Sequence, residues 1–187
     1  NMKIALKLLT TIQFGNYYQP VADAKVAYLQ AKHFNEQGKF NGEVDSYIQP
    51  KQLNKSHLLK EGDILFAGKG FRNFAWCYHE SDGPAIASSI FFIIRVTSPD
   101  ILPEYISTIF NLPANQNHFQ RLGAGSSIPS IRKNELAEFP VTLISNANQK
   151  KIISIHDLYT KELELNQSIM QLKTELFQSV VTKLTKP

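Results

Sequence analysis

The feature that most constrains the fold is a C-terminal stretch, residues 149–186, that contains neither glycine nor proline. Leu, Lys, Glu and Gln, which favour helices, dominate it. We therefore predict a single helix of about 35 residues, which would be about 50 Å long at the standard rise of an α-helix.

Apolar residues recur along this predicted helix at alternating steps of three and four, which is the spacing of a coiled-coil seam. We call the following set the seam: Ile155, Leu158, Glu162, Leu165, Ile169, Leu172 and Leu176. A second apolar line beside it widens the face beyond what a two-stranded coil needs; it consists of Tyr159, Leu163, Met170, Phe177 and Leu184. A helix that packs on its own domain would account for apolar residues along one face over only a few turns. A domain of this size is only about 35–40 Å across, so the length favours pairing with another helix.

Upstream of Asn146 the pattern changes to short apolar runs separated by turn residues, which is typical of strands. We predict strands at 26–31, 64–67, 74–78 and 86–96, and we interpret residues 2–9 as the first structural element rather than a signal peptide. Helices are predicted over 103–110, opened by Pro103, and over 115–122, ended by Gly123. The expected fold class is α+β. A mainly β domain with short helices spans 1–146, and one long coiled-coil helix spans 147–187.

Composition narrows the function only slightly. The chain has 20 Lys and Arg against 16 Asp and Glu, and this net charge of +4 favours an anionic partner such as nucleic acid. Cys77 is the only cysteine, which excludes an internal disulfide and suits a reducing cytoplasm. The longest apolar stretch, 85–96, is too short for a membrane span of about 20 residues. We therefore expect a cytoplasmic protein with no membrane segment.

Two glycine-containing loops carry groups that can contact DNA. Loop 68–70 lacks the complete phosphate-binding patterns, so it is an ordinary turn, a turn that brings Lys69, Arg72 and Asn73 to nucleic acid, or both. Loop 123–130 either caps the turn that follows it or binds phosphate oxygens through hydroxyls and flanking cations. The candidate DNA-binding residues are Lys69, Arg72, Asn73, Arg121, Ser126, Ser127, Arg132 and Lys133.

Catalytic and metal-binding patterns are absent from the sequence. The five histidines are scattered and form no H-E-x-x-H pattern, and loop 123–130 has no nucleophile elbow. Cys77 lies in an apolar strand, where a thiol usually packs as a small hydrophobe, and a catalytic pair with His79 would require both side chains to open into a cleft. We expect no catalytic residue, metal or cofactor, and a small enzyme using Cys77 or Ser126 is the weakest hypothesis.

Several stretches, in this order, resemble the DNA specificity (S) subunit of type I restriction-modification systems. They are residues 59–70 (LKEGDILFAGKG), 102–106 (LPEYI), 125–131 (GSSIPSI) with Leu136 and 139–141 (FPV), and 149–153 (QKKII) at the head of the long helix. The sequence departs from the family pattern in one segment and at one further residue. Residues 142–145 replace a proline-rich run, and Asn148 stands where glutamate is common.

The resemblance implies a target-recognition domain that reads a few base pairs, followed by a spacer helix. It also implies that two such units occur per S subunit with their helices antiparallel, and that methylation and cleavage belong to the methyltransferase and restriction subunits. This chain would then be a non-catalytic, half-length subunit. It would homodimerise through 155–176 and bind a symmetric bipartite site on double-stranded DNA. The alternative hypothesis is an adaptor that recruits a protein through the same helix and has no DNA affinity.

Overall fold

The computed structural model describes residues 2–35, 37–49, 51–123 and 127–185. The strands are β1 (Met2–Ala5), β2 (Thr10–Phe14), β3 (Val26–Leu29), β4 (Tyr47–Ile48), β5 (Ile64–Ala67), β6 (Ala75–Cys77), β7 (Ala85–Ala87), β8 (Phe91–Val96) and β9 (Pro140–Leu143). The α-helices are α1 (Pro103–Phe110), α2 (Pro113–Leu122), α3 (Lys133–Ala137) and α4 (Asn146–Thr185). The predicted α+β class is confirmed.

The strands form three sheets. An antiparallel sheet in the order β2-β8-β5-β6 is the centre of the domain, and β3 lies between β4 and β7 in a second sheet, parallel to β7. β1 and β9 form an antiparallel pair beside the start of α4.

The central sheet is buried on both faces. Alternate side chains of β5 separate into two apolar clusters: Ile64 and Phe66 pack with residues of α1 and α2, whereas Leu65 and Ala67 pack with residues of β3 and β7. A strand covered on both sides needs apolar residues at every position. This explains why β5 reads as an uninterrupted apolar run.

The prediction of a single strand over 86–96 was wrong. β7 ends at Ala87 and belongs to the second sheet, whereas β8 begins at Phe91 and belongs to the central sheet. The Ser88 amide donates to the Leu29 carbonyl, and the Phe91 amide donates to the Ser88 carbonyl, which closes a turn between the two strands. Both strands are buried, so apolar composition could not separate them.

Other predicted elements are close to the observed ones. The strand at 64–67 and the helix at 103–110 are confirmed at both ends, and residues 2–9 do form the first element, β1 with a short 3-10 turn. The helix predicted over 115–122 begins two residues earlier, with Pro113 in its first turn. β2, β4 and β9 were not predicted.

The long helix is confirmed, and it begins slightly earlier than predicted. α4 has 40 residues and is therefore about 60 Å long. Near its start Gln149 is buried, and Ile152 and Ile153 pack against the core beside α1. Beyond this point the helix touches the domain through an ion pair between Lys39 and Glu164. All seam residues are exposed within the chain. Among the described residues, no helix is both long and apolar enough to cross a membrane.

Candidate nucleic-acid interface

Strand pairing gathers several loops at one end of the central sheet. Because neighbouring strands are antiparallel, β2 and β5 end where β6 and β8 begin. β3 and β7 also end here, since the Asn16 amide donates to the Ala87 carbonyl and the Gly15 amide to the Phe91 carbonyl. We call this region the loop end, and it comprises residues 15–20, 30–33, 68–74, 88–90 and 127–131.

The two loops predicted to contact DNA lie side by side at the loop end. The Gly70 amide donates to the Pro129 carbonyl, and the Ile131 amide donates to the Gly68 carbonyl, each over 2.9 Å. These bonds form an antiparallel bridge between Lys69 and Ser130, and both side chains are exposed. Lys69 and Ser130, 61 positions apart in the sequence, therefore belong to one surface.

Gly68 is required at this junction for steric reasons. A Cβ atom at this position would lie 2.3 Å from a ring carbon of Phe92, which is buried. Gly70 adopts a φ of 105°, a conformation that L side chains rarely adopt. The glycines thus allow a tight turn at 68–70, at which the Lys69 side chain is exposed.

Arg72 and Asn73 are occupied by contacts within the protein. The Arg72 guanidinium donates to the carbonyls of Phe34 (3.1 Å) and Ala31 (3.4 Å), and Asn73 Nδ2 donates to the Ala67 carbonyl over 2.8 Å. These contacts hold the loop against the rest of the loop end. The neighbouring Phe71, which the sequence analysis did not select, is 82% exposed.

The remaining candidate residues flank the paired loops. Arg121 is exposed in the last turn of α2, just before Gly123, and a Cβ on Gly123 would lie 3.3 Å from Pro129. Arg132 precedes α3, and its backbone amide donates to Glu135, while Lys133 begins that helix; both side chains are exposed. Ser127 is exposed. Ser126 lies outside the described residues.

An open cleft of about 620 Å³ lies next to the 68–70 loop, because the Gly68 amide donates to the carbonyl of Ile90, which lines the cleft. Its lining residues are Tyr17, Tyr18, Pro20, Tyr28, Gln30, Ala31, Lys32, Ser88, Ser89 and Ile90. Tyr17 is 83% exposed, and Ser88 Oγ is buried without a hydrogen-bond partner among the described residues. Three separate loops and Tyr28 of β3 line the cleft, so no local sequence signal marks it.

The positive charge of Lys32, which lines the cleft, is partly balanced by an acidic residue of the same chain. Lys32 forms an ion pair with Asp45, and hydrogen bonds from His33, Lys32 and Ser46 hold the pKa of Asp45 well below its usual value. Asp45 is therefore ionised near neutral pH. Lys69 of the paired loops, and Arg121, Arg132 and Lys133 close to them in the sequence, are exposed cations, and Phe71 is an exposed aromatic residue of the same surface.

No family model matches the chain, and no curated protein matches it either. Solved structures do share its fold. The S subunit of the type I restriction-modification system from M. genitalium aligns with 98% of this chain and 45% of its own length, at 18% identity and a TM-score of 0.62. The HsdS subunit from Thermoanaerobacter tengcongensis aligns with 88% of this chain and 38% of its own length, at 11% identity and a TM-score of 0.64.

A third match is a chain from a structural study of complex assembly and conformational transition of the type I restriction-modification (R-M) system. It covers 95% of this chain and 43% of its own length, at 11% identity and a TM-score of 0.64. This chain spans less than half the length of each of these structures. It has the fold of the S subunits of type I restriction-modification systems, as the sequence resemblance predicted.

Proposed function

We propose that this chain is a non-catalytic DNA-recognition subunit of a type I restriction-modification complex, in which the loop end binds double-stranded DNA. The observation that carries this proposal is the pairing of the 68–70 and 129–131 loops. The pairing places Lys69 beside a loop flanked by Arg121, Arg132 and Lys133. The S-subunit fold supports the same function.

Different side chains of the loop end suit different contacts with DNA. The exposed cations and the Ser127 hydroxyl suit phosphate oxygens, which supply affinity without sequence preference. The exposed rings of Phe71 and Tyr17 suit apolar contacts with bases or sugars. Because Arg72 and Asn73 donate to backbone carbonyls, we assign them a positioning role unless DNA displaces those bonds.

In this proposal, the seam of α4 packs against the seam of a second copy of this chain. Each copy spans less than half of an S-subunit structure, so two copies together supply about one such length. Antiparallel pairing of two seams would exclude their apolar side chains from water and place two loop ends on a symmetric bipartite site. Methylation and cleavage would then belong to a methyltransferase subunit and, through it, a restriction subunit.

Binding-site selection from a random pool of duplex DNA, with the methyltransferase subunit present, tests this function. We expect a bipartite symmetric site, and we expect Lys69→Ala to weaken binding to all sequences alike and to lower the salt dependence by about one counterion. The matched control is Lys60→Ala, an exposed lysine at the other end of β5. Absence of DNA affinity with the partner present would favour the adaptor hypothesis instead.

A further inference from the structure

The end of the central sheet opposite the loop end brings together three potential metal ligands. Cys77 Sγ, a ring nitrogen of His79 and a carboxylate oxygen of Glu104 lie within 4.8 Å of one another. Thiolate, imidazole and carboxylate are the ligand types that Zn²⁺ takes in proteins. No metal site was predicted from the sequence, because the chain has one cysteine, no pair of histidines at metal-ligand spacing and no H-E-x-x-H pattern.

The packing of α1 along β6 creates this juxtaposition. Ala75 packs in the apolar cluster that contains α1, and the alternation of side chains along a strand places Cys77 on the same side. At its far end α1 is followed by Asn111, whose side chain exchanges two hydrogen bonds with the backbone of Ala75, over 2.9 and 2.8 Å. The first turn of α1, which carries Glu104, therefore lies beside the end of β6.

A further carboxylate already orients His79. Glu61 Oε1 lies 2.8 Å from His79 Nδ1, and Glu61 Oε2 accepts the Glu80 amide over 2.6 Å. Metal-bound histidines usually bond a carboxylate or carbonyl through the other ring nitrogen, which fixes the ring and raises its basicity. With Nδ1 engaged by Glu61, Nε2 is the nitrogen that a metal would take.

The turn that carries Glu61 is itself held in place. The Gly62 amide donates to the Tyr78 carbonyl over 3.0 Å. A Cβ on Gly62 would lie 3.1 Å from Pro103 Cγ, and its φ of 77° favours glycine. The turn therefore packs closely against the start of α1, so Glu61 and Glu104 approach His79 from separate, fixed elements.

The local charge suits a cation. Four carboxylates, those of Glu104, Glu61, Asp63 and Asp82, lie around the Cys77 thiol. A divalent metal would offset the surrounding negative charge, take the sulfur as thiolate and release its proton to solvent.

We propose that Cys77, His79 and Glu104 bind a Zn²⁺ ion, with Glu61 as the carboxylate that orients His79. Three protein ligands leave a fourth position for water. The ion would join the edge strand β6 to the first turn of α1, the helix on which α4 packs. The site lies at the opposite end of the sheet from the loop end, so it does not depend on the DNA-binding proposal.

Cobalt substitution tests the site with high specificity. Cys77 is the only cysteine of the chain, so a thiolate-to-cobalt charge-transfer band can arise from no other residue. The full chain, carrying no polyhistidine tag, is freed of metal with a chelator and titrated with Co²⁺. We expect a saturable, equimolar band that Zn²⁺ displaces and that Cys77→Ser abolishes.

Conservative substitutions distinguish the loss of a metal ligand from a loss of folding. Glu104→Gln and Glu61→Gln should each weaken Co²⁺ affinity by about 10–100-fold, with an unchanged circular dichroism spectrum. His156→Ala, at a partly exposed position on α4, is the control and should leave the titration unchanged. No thiolate band with the parent protein, or a band unaltered by both glutamate variants, would overturn the proposal.

Discussion

Replacing Gln149 with leucine should destabilise the domain more than any other single change near the start of α4. The Gln149 side chain is fully buried. Its Oε1 accepts the Leu102 amide over 2.8 Å, and its Nε2 donates to the carbonyls of Asp100 (2.7 Å) and Ile144 (2.9 Å). One amide thus satisfies backbone groups on both sides of the junction between α1 and α4.

The magnitude follows from the groups left unpaired. Leucine matches the volume of glutamine but cannot pair with the three backbone groups. At about 1 kcal/mol for each lost partner, Gln149→Leu should lower the free energy of unfolding by about 3 kcal/mol. For a chain of this size that corresponds to a fall in Tm of about 6–12 °C.

Urea denaturation followed by circular dichroism measures this loss, and Gln167→Leu is the matched control. Gln167 is exposed on the same helix, so its replacement should change stability by no more than about 0.5 kcal/mol. Gln149→Glu should be at least as damaging as Gln149→Leu, because it places carboxylate oxygens against two carbonyls. A loss below about 1 kcal/mol for Gln149→Leu would refute the idea that these bonds fix α4 to the domain.

Further predictions concern the seam, a buried ion pair and the tight turn. Changing Ile169 and Leu172 together to glutamate should give a folded monomer, and an unchanged mass in analytical ultracentrifugation would contradict seam pairing. Asp63→Asn should lower the free energy of unfolding by about 2 kcal/mol, as measured by thermal denaturation. Asp63 is fully buried and accepts two hydrogen bonds from Arg95, whose side chain is one-third exposed. Gly68→Ala should lower the free energy of unfolding by about 1–3 kcal/mol, because the new Cβ overlaps a buried ring. It should also weaken DNA binding. Parent-like stability and parent-like DNA affinity would show that the turn tolerates a side chain.

Elements with strong local signals could be predicted from the sequence. Pro103 marks the start of α1, and the glycine- and proline-free segment marks α4. These signals act within a few residues and do not depend on tertiary contacts. The division of 86–96 between two sheets could not be predicted, because it depends on hydrogen bonds from Ser88 to a strand about 60 residues earlier in the sequence.

The candidate sites were less predictable than the fold, for the same reason. Lys69 and Ser127 are exposed in loops, but their proximity depends on the bridge between two distant loops. Arg72 was chosen for its charge, and charge alone does not reveal that its guanidinium already contacts two carbonyls. Glu104 is 27 residues from Cys77 in the sequence, so only the docking of α1 brings them together.

The junction at Gln149 links the two halves of the proposed function. Bonds from Gln149 and the packing of Ile152 and Ile153 fix the direction in which α4 leaves the domain. In the proposed antiparallel dimer, the distance between the two loop ends is then set by where the seams meet. One heptad is about 10 Å of helix, which matches about three base pairs of DNA at ~3.4 Å each. A rigid junction therefore converts the register of the seam into the spacing of the bipartite site, whereas a flexible junction would leave that spacing undefined.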